Sequence, residues 1–273
     1  MVYEELENSL LQLLNEGNWD MAQDLLFEEQ KQGNPDATAV LGEFFYEGIG
    51  YEKDILKAKQ LFESAFQSGS ARGAYLLGRL YDYGNEFFAE DQAKAQYYYE
   101  IAEGGGDKDA VFMLASRYME GKNVERSDEK AFKLFKKGAD AGNIGCMENI
   151  GVFYEFGVCT KQDLETAIYW YRQVLKNETE NDFCMYRLAS CLINTNPTGE
   201  ILEEVYELTR KAIDLGNIDA YFILALLYED GRVVTQDYDM AQKYMKLAAD
   251  NGCELAMDNL NRYKRDIFGH YYV

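Results

Sequence analysis

Apolar and polar positions along the chain form two alternating kinds of helical segment, and the same residue types mark each one. Recurring glycines separate the blocks at intervals of 36 or 37 residues, with one interval of 74 in which Glu180 occupies the missing position. These glycines are Gly33, Gly69, Gly106, Gly142, Gly216 and Gly252. A fixed period of this length predicts an array of repeated units rather than one or two globular domains.

The first apolar segment of each block predicts a helix, called helix A, with one close-packed face. A small residue follows the block glycine, then Gly or Ala, then an aromatic or bulky residue, as in Gly73, Gly78 and Tyr81. Small side chains on one helix face let a neighbouring backbone approach closely. A closing glycine such as Gly84 supplies the left-handed conformation that ends a helix.

The second apolar segment predicts another helix, called helix B, which begins at a capping residue. An Asp or Ser stands four positions before a recurring alanine, and such side chains accept the first free N–H groups of a helix. The expected caps are Asp54, Asp91, Ser127, Asp163 and Asp237, and Asn18 stands in the same relation to Ala22. Bulky residues three and four positions after the alanine complete a buried stripe.

These signals predict six helix pairs between two terminal caps. The expected repeats are 34–69, 70–106, 107–142, 143–180, 181–216 and 217–252, with an N-terminal capping helix pair in 1–33 and a C-terminal capping helix and tail in 253–273. One pair cannot bury both of its faces, so neighbours are expected to stack into one continuous solenoid. The fifth repeat departs from the pattern at Glu180, Thr195 and Val205, which predicts altered packing or lower stability there.

The repeated pattern resembles the Sel-one-like repeat family, a relative of the tetratricopeptide repeat. Ala-x-x-x-Leu-Gly-x-x-Tyr-x-x-Gly followed by Asp-x-x-Lys-Ala is matched most clearly between Ala220 and Gly252, and copies cover nearly the whole chain. The resemblance implies an all-α fold, a right-handed α-solenoid of helix-turn-helix repeats with helix A lining the concave groove. It also implies an adaptor or scaffold function in protein complexes.

Helix A residues outside the packing set are expected to face this groove and to contact a partner. They are Glu43, Tyr46, Glu47, Tyr75, Arg79, Asp82, Tyr83, Phe112, Met119, Glu120, Glu148, Glu155, Phe156, Tyr186, Arg187, Phe222, Glu229 and Asp230. Rings supply buried area and carboxylates select cations, so the mixture favours a basic polypeptide. Packing of Tyr75, Phe112, Tyr186 and Phe222 against the next repeat is an equal alternative for these rings.

Charge narrows the class of partner. The chain holds 48 acidic and 27 basic residues, a formal net charge of −21, which disfavours nucleic acid and anionic membranes. Residues 1–50 are especially acidic, and a solubilising face and a site for a basic partner both account for that excess. The chain start lacks a leader pattern and no apolar run has membrane-spanning length, so we expect a cytoplasmic location.

Candidate catalytic chemistry is sparse, so we expect no catalytic residues, metal or cofactor. His270, the one histidine, has no surrounding motif, and no zinc, calcium or phosphate-loop motif occurs. The five cysteines are irregularly spaced, and Cys146 and Cys184 occupy small-residue packing positions. A weak hydrolase like some cysteine-rich relatives is therefore the least favoured alternative.

The leading prediction is a protein-interaction scaffold that is not an enzyme, and two alternatives stay open beside it. An inhibitor or immunity protein that masks a basic toxin or effector suits the acidity and the size of the chain. Self-association through the apolar tail, residues 267–273, would give a purely structural role.

Overall fold

The computed structural model describes residues 3–265 and 271–272, which form antiparallel helix pairs. The helices are α1 (Tyr3–Asn15), α2 (Trp19–Lys31), α3 (Pro35–Glu47), α4 (Ile55–Gln67), α5 (Ala71–Tyr83), α6 (Gln92–Gly104), α7 (Lys108–Glu120), α8 (Asp128–Asp140), α9 (Ile144–Phe156), α10 (Leu164–Asn177), α11 (Asp182–Ile193), α12 (Glu200–Asp214), α13 (Ala220–Asp230), α14 (Tyr238–Asp250) and α15 (Glu254–Leu260). Two short strands, β1 (Lys264–Arg265) and β2 (Tyr271–Tyr272), pair antiparallel. His270 and residues 267–269 and 273 of the candidate tail lie outside the described residues.

The chain forms two compact units, residues 1–143 and residues 144–273. The first contains α1–α8, and the second contains α9–α15 with both strands. Within each unit, helix A packs against helix B of its own pair and against helix B of the preceding pair. The predicted all-α repeat fold is confirmed, and each expected repeat segment holds one helix pair. A single continuous stack of all six repeats stays a prediction.

Helix B begins at the caps that the sequence indicated. The side chains that accept from the backbone N–H three residues further on are Asp54, Asp91, Ser127, Asp163 and Asp237. Asn18 directly precedes α2 as predicted, but its side chain makes no cap bond, and its Nδ2 instead donates to Glu16 over 2.9 Å. In the divergent fifth repeat, α12 follows Gly199 without a side-chain cap.

A second set of caps, which was not identified from the sequence, begins helix A directly after the block glycine or, for Asn181, after the Glu180 that replaces it. Asn34, Ser70, Asp107 and Asn181 accept backbone N–H groups of the helices that they precede. Ser70 Oγ also donates to Asp36 Oδ1 of the preceding repeat over 2.6 Å. Asn217 Nδ2 makes the equivalent bond to Asp182 over 3.0 Å. One side chain thus begins a helix and joins it to the preceding repeat.

The glycine within helix A leaves space for an aromatic ring of helix B. A Cβ at Gly78 would lie 2.6 Å from the Tyr99 ring, and the same proximity holds for Gly151 with Tyr171. Both rings are fully buried. Close approach to a backbone occurs instead at Gly73, where a Cβ would lie 2.8 Å from the nitrogen of Phe66. The small residues of helix A therefore set two distances, one to the paired helix and one to the preceding repeat.

We expect Gly78→Ala to lower the free energy of unfolding by about 1–3 kcal/mol, because the added methyl group overlaps the buried Tyr99 ring. Gly104→Ala is the matched control, since a Cβ there meets no atom within 4 Å. That control should be neutral or slightly stabilising. Urea unfolding followed by circular dichroism measures both, and equal stabilities of the two variants would contradict the packing described.

Candidate functional site

In the first unit, the predicted groove residues of α3 and α5 neutralise each other's charges. Arg72, whose side chain is 10% exposed, contacts Glu43 at 3.1 Å and Asp109 at 2.7 Å. Arg79 contacts Glu43 at 3.2 Å and Glu47 at 3.6 Å. The structure thus brings Glu43, Glu47 and Arg79, three of the predicted groove residues, into contact with one another. It leaves them little unpaired negative charge with which to select a cation.

Asp107 lies at the buried edge of this network. Its carboxylate caps α7 by accepting from the backbone N–H of Asp109 and of Ala110, and it lies 3.8 Å from Arg72. Burial raises the pKa of Asp107 to about 6, against the opposing effect of the Arg72 guanidinium. The ionised carboxylate of Asp107 therefore makes the folded chain less stable than an uncharged capping side chain at the same position would.

The four rings that were expected either to face the groove or to pack against the next repeat differ in burial. Tyr75 and Tyr186 are buried, with 8% and 6% exposure, so they pack between helices and present no surface. Phe112 and Phe222 are half-buried. The Phe112 ring contacts Phe135 at a centroid distance of 6.1 Å.

Asp82 and Glu155, which the sequence analysis placed in the groove, are buried packing residues, and this part of the prediction is corrected. Asp82 is 3% exposed and accepts from the Tyr99 hydroxyl at 3.2 Å. It also lies 2.9 Å from Arg117 and 2.7 Å from Lys122 of the following repeat. The position looked exposed by helical spacing alone, but the tyrosine of helix B and the cations of the next repeat enclose it.

The same acid, tyrosine and arginine arrangement recurs in the second unit. Glu155 accepts from the Tyr171 hydroxyl at 2.7 Å and from Arg187 at 3.4 Å. Glu229 accepts from the Tyr263 hydroxyl and, at 3.1 Å, from Arg262. Burial, followed by the neighbouring carboxylate, raises the pKa of Tyr171, so its hydroxyl stays protonated and donates.

This arrangement joins the second, fourth and sixth repeats to the segment that follows each. The sequence signal was an acid four residues after the Gly or Ala of helix A: Asp82 after Gly78, Glu155 after Gly151, and Glu229 after Ala225.

The remaining predicted groove residues differ in exposure. Those that are exposed are Glu47, Tyr83, Glu120, Phe156 and Asp230, and those that are half-buried are Glu43, Tyr46, Arg79, Phe112, Met119, Glu148, Arg187, Phe222 and Glu229. Tyr83 and Phe156 are the most exposed rings among them, at 65% and 57%.

In the second unit, α9 and α11 present two exposed rings around an arginine. Phe156 is 57% exposed and Phe183 is 37% exposed. The Arg187 guanidinium lies 5.3 Å from the Phe156 ring centroid and 5.2 Å from that of Phe183. Cation–π contacts of this kind hold rings in a defined position. Sequence analysis identified Phe156 and Arg187 but missed Phe183, the residue directly before the small packing residue Cys184.

Phe183 also borders an acidic depression of about 550 Å³ at the turn between α10 and α11. The residues lining it are Glu148, Asn177, Glu178, Thr179, Glu180, Asn181, Asp182 and Phe183. Burial, and then the nearby acids, raise the pKa of Glu148, while Asn181 donates to its carboxylate over 2.6 Å. No Lys or Arg among the described residues makes an ion pair with these acids.

We call Glu148, Phe156, Glu178, Glu180, Phe183 and Arg187 the α9–α11 surface. It combines apolar rings with negative charge that the described part of the chain does not neutralise. Exposed rings and unpaired charges are both features of protein-binding surfaces.

Reactive chemistry is scarce in the described part of the chain. No group of three or more His, Cys, Asp or Glu side chains there could hold a metal ion. Burial raises the pKa of Cys191 to about 12 and also raises that of Cys184, so both thiols stay protonated near neutral pH. Over the same residues, no helix combines the length and apolar character needed to cross a membrane.

A family profile described as Sel1 repeat matches residues 35–70, 71–107, 108–143, 145–173 and 218–253. The chain belongs to the Sel1 repeat family. The interval without a match contains the divergent fifth repeat, where the structure nevertheless has the helix pair α11 and α12.

Curated relatives are named as regulators. The chain is 28% identical over 151 residues to chitin synthase regulatory factor 1 of Schizosaccharomyces pombe, which covers 54% of the chain and 33% of the relative. It is 30% identical over 123 residues to chitin synthase regulator SKT5 of Saccharomyces cerevisiae. This aligned stretch covers 44% of the chain and 18% of the relative. The chain therefore spans about a third or less of these relatives' length.

Solved Sel1-type structures share the fold. A protective antigen of uropathogenic Escherichia coli with an SLR fold is 25% identical, with a TM-score of 0.69, over 88% of this chain and 51% of that one. A Sel1 repeat protein from Oxalobacter formigenes is 21% identical, with a TM-score of 0.62, over 89% of this chain and 96% of that one.

We expect Asp82→Ala to lower the free energy of unfolding by about 3–5 kcal/mol, because it leaves the buried Arg117 guanidinium without its carboxylate. Glu120→Ala, at an exposed position without an ion pair among the described residues, should change it by less than about 0.5 kcal/mol. Chemical denaturation of both variants gives the comparison. A small loss for Asp82→Ala would show that the pair does not join these repeats.

Asp107→Asn should change how stability depends on pH. The pKa of Asp107 is about 6 in the folded chain and about 4 in an unfolded chain, so the folded state binds the extra proton between these values. Wild-type stability therefore falls as pH rises through this window, by an amount of the order of 1–3 kcal/mol.

Asparagine caps helices without titrating, so the variant lacks this contribution. The free energy of unfolding is measured for both proteins at about pH 4.5 and at about pH 7. Subtracting the variant's value from that of wild type at each pH removes the contribution of the titrating groups that the two proteins share. As pH rises, the stability of the variant should increase relative to that of wild type. An increase in the stability of wild type relative to the variant would contradict a raised pKa for Asp107.

Proposed function

We propose that this chain is a non-catalytic adaptor whose α9–α11 surface binds a basic segment of another polypeptide. The observation that carries the proposal is Phe183, a partly exposed ring between the Arg187 guanidinium and an acidic depression that lacks a cationic partner among the described residues. In the free chain water solvates these carboxylates and the exposed rings, and a partly apolar basic segment can contact both.

The geometry supports a specific division of contacts. A lysine or arginine of the partner can lay its aliphatic stem on Phe183 and place its charge among Glu148, Glu178 and Glu180. Arg187 is positive and lies over both rings, but the acids that can offset its charge border Phe183 and not Phe156, so a second cation is disfavoured on the Phe156 side. An apolar partner residue is therefore expected on Phe156, and the preferred segment has a basic residue close to an apolar one.

We place this contact in the second unit because the helix A charges of the first unit pair with each other. Glu43 there is shared by Arg72 and Arg79, whereas the acids of the α10–α11 turn have no such partner among the described residues. The other exposed candidates, such as Glu47, Tyr83 and Glu120, stay predictions of secondary contacts. A cytoplasmic location and the absence of nucleic-acid or membrane partners also stay predictions.

The inhibitor function would use the same surface. If Glu178 and Glu180 bound the basic residues of a toxin or effector, those residues could no longer contact the substrate of the toxin or effector. Inhibition of a captured partner's activity distinguishes that role from simple scaffolding. A cysteine-dependent hydrolase is disfavoured by the buried, protonated thiols of Cys184 and Cys191.

A peptide library displayed against the purified chain tests the proposal. Enriched peptides should carry Lys or Arg next to apolar residues, and their affinity should fall with salt. A variant with Phe183→Ser and Glu180→Lys should bind them at least about tenfold more weakly, because it loses the ring and reverses a charge of the depression.

The matched control carries Glu203→Lys and Glu207→Lys, two exposed acids on α12 of the same unit. It changes the net charge by more than the test variant does, yet it should bind the selected peptides as wild type does. An equal loss of peptide affinity in both variants would show that net charge alone causes the effect. It would contradict binding at the α9–α11 surface. Enrichment of acidic peptides would overturn it directly.

A further inference from the structure

Helix α2 exposes more large apolar side chains than any other helix B in the described part of the chain. Trp19 is 48% exposed, Met21 is 59% exposed and Phe27 is 41% exposed. The other helices B expose at most one large apolar side chain within their bounds. These are Leu56 on α4, Tyr97 on α6, Tyr169 on α10, Ile201 on α12 and Leu247 on α14, with none on α8. Grouped apolar exposure of this kind marks an interaction site.

The side of α2 between Phe27 and Met21 carries a stripe of carboxylates. Asp20, Asp24 and Glu28 are exposed at spacings of four residues, so they lie above one another on successive turns. Glu28 pairs with Lys31 at 2.5 Å, but neither Asp20 nor Asp24 makes an ion pair with another described residue. The stripe therefore keeps negative charge that is available to a ligand.

Helical spacing places the apolar residues around this stripe. Phe27 stands seven residues after Asp20 and is nearly in line with it. At about 100° per residue, Phe27 and Met21 lie at the two edges of the stripe, and Trp19 lies about 80° beyond Phe27 at the start of the helix. A helix laid along α2 would thus meet carboxylates in the centre and apolar side chains at both borders.

We propose that the outer face of α2 is a second docking surface, and that its occupant is a basic amphipathic helix of a partner protein. Lysine or arginine side chains would pair with Asp20 and Asp24 while apolar residues cover Phe27 and Met21, with Trp19 at the margin of the contact. The charge favours this occupant over a second copy of the chain, because two copies at a net charge of −21 repel each other. The surface lies in the first unit, and the proposal does not depend on the α9–α11 surface.

Trp19 supplies a direct reporter, because the chain has two tryptophans and the other, Trp170, is buried. In a Trp170→Phe background, Trp19 is the single source of tryptophan fluorescence. The probe is a synthetic helix of about 18 residues with Leu and Lys at amphipathic spacing. Binding should shift Trp19 emission to shorter wavelength, and affinity should fall at least about tenfold between about 50 and about 300 mM salt.

Two comparisons make the result specific. Asp20→Lys with Asp24→Lys should weaken binding at least about tenfold, while Glu203→Lys with Glu207→Lys on α12 should leave it unchanged. A Leu and Glu peptide of the same pattern should not bind. The proposal is overturned if emission does not shift, if both charge variants lose affinity equally, or if the acidic peptide binds as well. If Trp19 emission shifts with protein concentration in the absence of peptide, the face binds a second copy of the chain, and the proposal is again overturned.

Discussion

In three helix pairs of the described chain, an aromatic ring of helix B occupies the space above a glycine of helix A and sets the spacing of the pair. Tyr99 lies over Gly78, and Tyr171 lies over Gly151, with no room for a Cβ at either glycine. The same contact places each tyrosine hydroxyl beside the acid one turn further along helix A. That acid then accepts an arginine from the following repeat, so a contact within one pair also fixes the next pair.

This construction determines which charges a partner can meet. Acids that join repeats, such as Asp82 and Glu155, are enclosed and satisfied. In the first unit, Arg72 and Arg79 also neutralise Glu43. The acids of the α10–α11 turn have neither function and remain open beside Phe183. Negative charge is abundant in this chain, but only where the repeat construction leaves it unpaired can it contribute to recognition.

The sequence was sufficient for the fold, because the glycine period, the helix B caps and the helix A pattern all describe local structure. It was insufficient for the site, because exposure at a given helix position depends on what the neighbouring repeat supplies. Asp82 looked available until Tyr99, Arg117 and Lys122 were seen to enclose it. The depression had a sequence signal in Glu180, which replaces the block glycine, but that departure indicated only altered packing.

Hydrogen exchange of the chain with and without a library-selected basic peptide tests the central claim that recognition occurs on the α9–α11 surface. The account predicts slower amide exchange on binding in the α10–α11 turn and in the first turns of α11, with α3 and α5 unchanged. Protection confined to residues 1–143, or spread evenly over all helix pairs, would contradict it.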